Sequence, residues 1–237
     1  MQEPSYPIYT IVVAGGTGSR MNAPLPKQFL PVAGLPVLMH TLLRFHAYNP
    51  AMPLVLVLPA AELATWKDLC LQYDFRVTHQ VVAGGKTRFQ SVQNGLAALR
   101  IYEDGVVAVH DGVRPFVTQA IIHTAFETAH ELGTAVVSVA LKDSIRRVTG
   151  NVSKAVNRNA YKLVQTPQCF RLPLLRRAYE QGESSQFTDD ASVVEKFGHK
   201  IHLVEGAYQN IKLTTPEDML LAEAILAAER SNQSPKQ

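Results

Sequence analysis

Short apolar runs alternating with helical patterns constrain this chain more than any other property. Thr10–Ala14, Leu54–Leu58, Val77–Val82, Val106–His110 and Ala135–Val139 are mostly β-branched or aliphatic, as strands covered on both faces are. Helical patterns fall between them at about 36–47, 60–72, 87–100 and 119–132. Pro36 stands at a first helical position, and Thr118 caps a helix that stops at Gly133. Repeated strand–helix–strand units impose right-handed crossovers and a mainly parallel sheet. Ligands on such sheets sit beyond the carboxyl ends of the strands. Three segments fall there: the glycines after Ala14, the acid Asp111, and residues 83–91.

The alternation breaks after Ala140. Ser144–Val148, the turn Thr149-Gly150-Asn151 and Val152–Val156 read as a β-hairpin, with Lys142, Arg146, Arg147, Lys154 and Arg158 on or beside it. A hairpin this polar cannot build its own core. It is expected to project and to pack on something else, a second subunit being the economical candidate. The main pattern resumes with a strand near 162–166, a helix near 173–181, a helix capped by Thr188, and strands near 200–204 and 210–213. Thr215-Pro216-Glu217-Asp218 opens a last helix, cap first and acids in the first turn. The expected organisation is one domain over 1–237 with 141–160 as an inserted arm.

Composition narrows the partners. A net charge of +3 suits an anionic small molecule and falls short of the basic stripe that nucleic acid requires. No apolar run approaches 18 residues, so no membrane span is expected. Met1–Thr10 lacks the regions of a signal peptide. Cys70 and Cys169 show no metal-ligand or disulfide spacing. A reducing, cytoplasmic setting is the expectation.

The stretch Ala14-Gly15-Gly16-Thr17-Gly18-Ser19-Arg20-Met21 has three glycines in four positions straight after a buried strand. Glycine lets successive backbone N–H groups converge on one anion. Arg20 and Lys27 add two positive charges, completing what a nucleoside triphosphate requires. Two better-known loops do not fit. A Walker A loop needs Gly-Lys before Ser or Thr, but Ser19-Arg20 follows Gly18. A dinucleotide fingerprint needs a small residue where Met21 stands and an acid about 20 positions on, and no Asp or Glu occurs between Glu3 and Glu62.

Asp111, in Val109-His110-Asp111-Gly112-Val113-Arg114-Pro115, is a candidate Mg²⁺ ligand, because hard cations take carboxylate, water and phosphate oxygens. It could equally pair with Arg114. In Ala83-Gly84-Gly85-Lys86-Thr87-Arg88-Phe89-Gln90-Ser91, the glycines permit close approach of a flat base whose edge Ser91 could bond. A tight turn with Thr87 as helix cap is the plainer account. Lys212 ends the 210–213 strand beside this region, where a lysine could also simply reach for water. Thr188-Asp189-Asp190 is first of all a helix start.

Taken in order, AGGTGSRM…PKQF, AGGKTRFQSV, VHDGVRP, LKDS, VNRN, VQTPQ, FTDDAS and IKLTTPEDM resemble the 2-C-methyl-D-erythritol 4-phosphate cytidylyltransferases of non-mevalonate isoprenoid biosynthesis. The resemblance runs through almost the whole chain. It implies a three-layer, Rossmann-like α/β nucleotidyltransferase fold with a projecting β-hairpin arm. It implies transfer of CMP from CTP to a sugar-alcohol phosphate, with Mg²⁺ as cofactor and a homodimer as the working form. Residue by residue, Ala14, Gly15, Gly16 and Gly18 would wrap the CTP phosphates, and Arg20 and Lys27 would stabilise the transition state. Gly84, Gly85 and Ser91 would read cytosine, and Asp111 would hold the metal. Arg158 and Lys212 would position the acceptor, with Asp111, Arg114, Ser144, Thr166 and Thr188, part of that site coming from the partner's hairpin. Gly15 and Gly112-Val113 stand where the family commonly has alanines, and Ser144 where it has threonine. Ribitol-5-phosphate cytidylyltransferases share much of the pattern and are the alternative. A nicotinamide-dependent oxidoreductase fits poorly without the acid, and a nucleotide-binding module without turnover does not account for Arg20, Lys27, Asp111 and Lys212 together.

Overall fold

Ile8–Val13 (β1), Leu54–Leu58 (β4) and Val106–Asp111 (β6) form the middle of a seven-stranded sheet, and every residue of the three is buried. The computed structural model describes residues 4–16 and 25–233. Strand alternation sends successive side chains of β1 to opposite faces. Ile8 and Val12 join one apolar cluster, and Tyr9, Ile11 and Val13 join another. In β4, the leucines enter the first cluster and Val55 and Val57 the second. Helices Val37–Tyr48 (α1), Leu63–Gln72 (α2) and Gln119–Leu132 (α4) cover the first face. Arg88–Ala98 (α3), Leu172–Glu180 (α5) and Asp190–Lys196 (α6) cover the second. The result is a three-layer α/β arrangement.

Pro31–Val32 (β2) and Leu35–Pro36 (β3) make a small ribbon ahead of α1. The remaining strands of the main sheet are Gln80–Ala83 (β5), Thr134–Ala140 (β7), Lys162–Arg171 (β10) and Leu203–Glu205 (β11). The strand order is β11-β7-β10-β6-β1-β4-β5. Pairing is parallel throughout except at β10, which runs antiparallel to both β6 and β7. Pro216–Gln233 (α7) packs Ala222 and Leu226 on Val113, Phe116 and Leu213.

Several local expectations hold. Thr118 Oγ1 accepts from the Ile121 N–H, and α4 ends at Gly133 with φ of 90°. That left-handed geometry favours glycine. Thr87 caps α3 by accepting from the Gln90 N–H. Others need correction. The α6 cap is Asp189, not Thr188: its carboxylate accepts from Ser192 N–H in a capping box. Residues 210–213 are not a strand: Asn210 N–H closes a turn on the Ala207 carbonyl, and Leu213 N–H reaches the Val113 carbonyl in the turn beyond β6. The strand expected at 77–82 is confined to Gln80–Ala83, since Val77 gives its carbonyl to the His79 ring. Pro36 precedes α1 as its cap position and does not begin it.

Arg146–Thr149 (β8) and Val152–Ala155 (β9) pair only with each other. All eight of their residues are exposed, with Val148 at 68% and Val152 at 73%. The separate hairpin expected from its polarity is therefore present.

Candidate active site at the carboxyl ends of the strands

Sheet register brings the chemistry together. Val13 lies opposite both Val57 and Asp111, so the glycine loop leaves β1 beside the last residue of β6. The Gly112 N–H donates to the Val13 carbonyl at 2.8 Å, and the Ala14 N–H donates to the Val57 carbonyl at 3.0 Å. The second glycine turn is anchored likewise, its Gly84 N–H reaching the Leu58 carbonyl at 2.7 Å. A cavity of about 310 Å³ opens between the two turns, lined by Ala14, Gly15, Gly16, Lys27, Gln28, Gly85, Arg88, Ser91, Asp111 and Lys212 among others. Gly18 and Arg20 lie outside the described residues.

Glycine is required at the second turn by contact. A Cβ on Gly85 would overlap Gln90 Cβ, and one on Gly84 would stand 2.8 Å from Ser91 Oγ. Ser91 itself is committed to the loop: Oγ donates to the Thr87 carbonyl at 2.8 Å and accepts from the Gly85 N–H at 3.2 Å. Its visible work is to shape the turn. Lys27 arrives from the 3₁₀ turn Lys27–Phe29, with its Nζ only 3.8 Å from where a Gly16 Cβ would be. Sequence reasoning missed the neighbour that fixes this turn. Gln28 is buried, and its Nε2 donates to the Ala14 carbonyl at 3.1 Å. Its Oε1 is buried with no hydrogen-bond partner among the described residues.

A second cavity of about 310 Å³ adjoins the first, lined by Arg88, Asp111, Arg114, Val164, Gln165, Thr166, Gln168, Thr188, Asp189 and Lys212. Arg88, Asp111 and Lys212 line both. Asp111 Oδ2 lies 3.0 Å from Lys212 Nζ and 3.3 Å from Arg114 Nε, and Oδ1 lies 4.0 Å from Arg88 Nε. Burial pushes the Asp111 pKa up, but Lys212, then Arg88 and Arg114, hold it well below the usual carboxylate range. At neutral pH it is an anion among three cations. Asp111 thus pairs with Arg114 while also lining both cavities. Lys212 stands on an irregular segment, held because Arg114 Nη1 donates to the Asn210 carbonyl and Asn210 Nδ2 donates to the Thr166 carbonyl, both at 2.8 Å.

Thr166 lines the second cavity, but its hydroxyl is used beneath it. Oγ1 accepts from the Asp111 N–H at 3.0 Å and donates to His110 Nδ1 at 3.1 Å. His110 Nε2–H then donates to the Arg114 carbonyl at 3.0 Å. The ring is fully buried, which pushes its pKa down to about 4 despite the Arg114 carbonyl bond. Because the folded pKa lies below the unfolded one, the unfolded chain takes up a proton first as pH falls below about 6.5. Stability is therefore complete above that pH and lost as pH falls towards about 4. We expect wild type to lose about 3 kcal/mol from this group across that window. Urea unfolding in metal-free buffer at both ends, against His110→Gln, checks it; an equal loss in the variant would clear His110 of the role.

Two expected acceptor residues stand apart. Ser144 is exposed on the approach to β8, and Arg158 donates to the Lys142 carbonyl at the base of the arm. Neither lines either cavity. Thr188 does, with its N–H on Ser192 Oγ at 3.0 Å.

A mostly parallel sheet with two glycine turns, a lysine and an ionised carboxylate at its carboxyl edge defines an α/β protein suited to nucleotide phosphates. Residues 8–228 match the family described as IspD, 2-C-methyl-D-erythritol 4-phosphate cytidylyltransferase. The chain is 50% identical to the protein of that name from Bacteroides thetaiotaomicron, over 91% of this chain and 98% of the other. It is 48% identical to the one from Phocaeicola vulgatus, over 92% and 99%. Among solved structures, the 4-diphosphocytidyl-2C-methyl-D-erythritol synthase from Anaerococcus prevotii superposes with a TM-score of 0.80 at 29% identity, covering 94% of this chain and 96% of that one. The chain belongs to the 2-C-methyl-D-erythritol 4-phosphate cytidylyltransferase family of nucleotidyltransferases.

Proposed function

We propose that the chain transfers CMP from CTP to 2-C-methyl-D-erythritol 4-phosphate, releasing pyrophosphate, in isoprenoid precursor biosynthesis. The observation that carries this is the pair of adjoining cavities sharing Arg88, Asp111 and Lys212, one lined by both glycine turns and the other by three cations, two carboxylates and Thr188 among others. Two phosphate-bearing substrates need such an arrangement, with their reacting groups meeting at the shared wall.

The acceptor's phosphate oxygen attacks the α-phosphorus of CTP. A phosphate monoester is largely ionised at neutral pH, so no base is needed. The barrier is electrostatic: two anions must approach, and charge builds on phosphorus. Ala14, Gly15, Gly16 and Gly18 hold the triphosphate, Arg20 and Lys27 stabilise the developing charge, and Gly84, Gly85 and Ser91 form the wall against cytosine. Lys212, Arg114, Thr166 and Thr188 hold the acceptor. Asp111 suits Mg²⁺ as a single buried, ionised carboxylate, since this ion takes one or two carboxylates and fills its sphere with water and phosphate oxygens. The described residues contain no group of three or more His, Cys, Asp or Glu able to hold a metal by themselves, in keeping with an ion brought in with phosphate. When bound, Mg²⁺ supplies neutralising charge to the triphosphate.

The whole of 1–237 is read as one cytidylyltransferase domain. Residues 141–160 are its dimerisation arm, carrying Ser144 and Arg158 to the partner's acceptor cavity. That neither lines either cavity of its own chain supports that reading. A cytoplasmic location fits, and among the described residues no helix is long and apolar enough to cross a membrane. Pyrophosphate release with CTP and Mg²⁺ tests the assignment. Strong EDTA-sensitive release is expected with methylerythritol phosphate and little with ribitol 5-phosphate. The reverse preference would move the chain to polyol-phosphate activation.

A further inference from the structure

Arg88 lines both cavities and faces Asp111, and its guanidinium is fastened to a fully buried carboxylate. It is the first residue of α3, directly after the Thr87 cap and the Gly84–Gly85 turn. Asp190 is the first residue of α6, directly after Thr188 and Asp189. The guanidinium joins these two helix starts in a bidentate pair, Nη1–Oδ1 at 2.9 Å and Nη2–Oδ2 at 2.6 Å. Asp190 has no exposed surface, and Oδ1 takes a further bond from the Tyr179 hydroxyl at 2.6 Å. The remaining edge of Arg88 faces Asp111, Nε to Oδ1 at 4.0 Å.

Local electrostatics alone would not put an arginine there. The first turn of a helix is its positive end and favours acids. A buried ion pair is also a poor stabiliser compared with apolar packing of similar volume, although breaking one strands a buried charge. What the pair does achieve is geometric. The α6 start is tied to β10 on one side, where Gln168 Nε2 donates to Asp189 Oδ2 at 2.8 Å and the Ala191 N–H donates to Gln168 Oε1 at 2.9 Å. Arg88 ties it on the other side to the nucleotide turn.

We propose that Arg88 is a positioning residue which, through Asp190, fixes the Thr188–Asp189 wall of the acceptor cavity relative to the Gly84–Thr87 turn. Its loss then moves the acceptor before it moves the nucleotide. The inference rests on the second cavity being the acceptor's.

The test pairs Arg88→Lys, which keeps a cation but loses the fork, with Tyr179→Phe, which removes a single hydroxyl and leaves the ion pair. Arg88→Lys is expected to raise acceptor KM about tenfold or more, with kcat at saturation and calorimetric CTP affinity each within about threefold of wild type. Tyr179→Phe should shift acceptor KM the same way by about two- to fivefold. Amide exchange in the unliganded protein should quicken across 188–192 in Arg88→Lys while α4 keeps wild-type protection. Unchanged acceptor KM, equal losses of CTP and acceptor binding, or faster exchange throughout the fold would each overturn the proposal. Wild-type turnover with each acceptor judges the assigned reaction. The variant-to-wild-type ratio, on whichever acceptor is used, judges the positioning role, and the exchange experiment judges it with no acceptor at all.

Discussion

Lys27→Ala is expected to lower kcat by about 10²-fold or more while raising KM for CTP only slightly. Lys27 is nearly buried and begins a turn whose next residue, Gln28, is fastened to the end of β1 through the Ala14 carbonyl. The ammonium is thereby held against Gly16, in the cavity between the two turns, before any ligand arrives. A preorganised cation of this kind acts most strongly where charge develops, on the phosphoryl group in transit. Ground-state binding of CTP is shared with backbone N–H groups and other cations, so it suffers less. Steady-state kinetics with calorimetric CTP titration separates the two. A near-normal kcat with a raised KM would reduce Lys27 to a binding contact. The same variant probes the arm: mixed with Arg158→Ala protomers, it should regain part of the activity through hybrid dimers. No recovery despite demonstrated subunit exchange would place each site within one chain.

What the sequence made legible was local. Glycine pairs after β-branched runs located both turns, and Thr87, Thr118 and Gly133 marked helix ends by chemistry that depends on near neighbours only. The segment near 162–166 was read short because Gln165-Thr166-Pro167-Gln168 is polar and contains proline, which hides a strand running to Arg171 with a register shift between Val164 and Gln168. Its antiparallel direction is a property of the sheet and leaves no mark on the strand itself. Asn210–Leu213 looks like a strand by composition, yet Asn210 is spent on the Thr166 carbonyl and the sheet edge is already taken by β11. At the site, Asp111 was visible as an acid ending a strand, and Lys212 as a cation at the end of a segment that only looked like one. Arg88 was not, because its meaning lies in Asp190, far along the chain and itself camouflaged in a helix-capping motif. Gln28 was hidden in the same way, as one polar letter beside a lysine.

Asp111→Asn carries the sharpest expectation because its two effects have opposite signs. The carboxylate is the counterion of Lys212 and Arg114 at 3.0 and 3.3 Å, with Arg88, itself paired to Asp190, at 4.0 Å. Asparagine keeps the shape and one acceptor oxygen but removes the charge. Turnover with Mg²⁺ should fall by about 10³-fold, since the cation loses its protein ligand and Lys212 and Arg114 lose the partner that aims them. Metal-free CTP meets a different situation. In wild type its phosphates approach a buried carboxylate; in the variant they approach Lys212 and Arg114 stripped of that counterion, with Arg88 still paired to Asp190. CTP affinity in EDTA should therefore rise several-fold while activity collapses. Stability at neutral pH should also drop, by about 2 kcal/mol, because largely buried Arg114 loses its carboxylate partner, while Lys212 is exposed and Arg88 keeps Asp190. Because the folded carboxyl titrates below the unfolded one, wild type keeps this advantage above about pH 4 and loses it in stronger acid, where the two proteins should converge. Calorimetry in EDTA and unfolding at neutral and acid pH read both effects. Wild-type turnover, or CTP binding in EDTA that weakens in step with activity, would show that Asp111 serves the fold and not the phosphates.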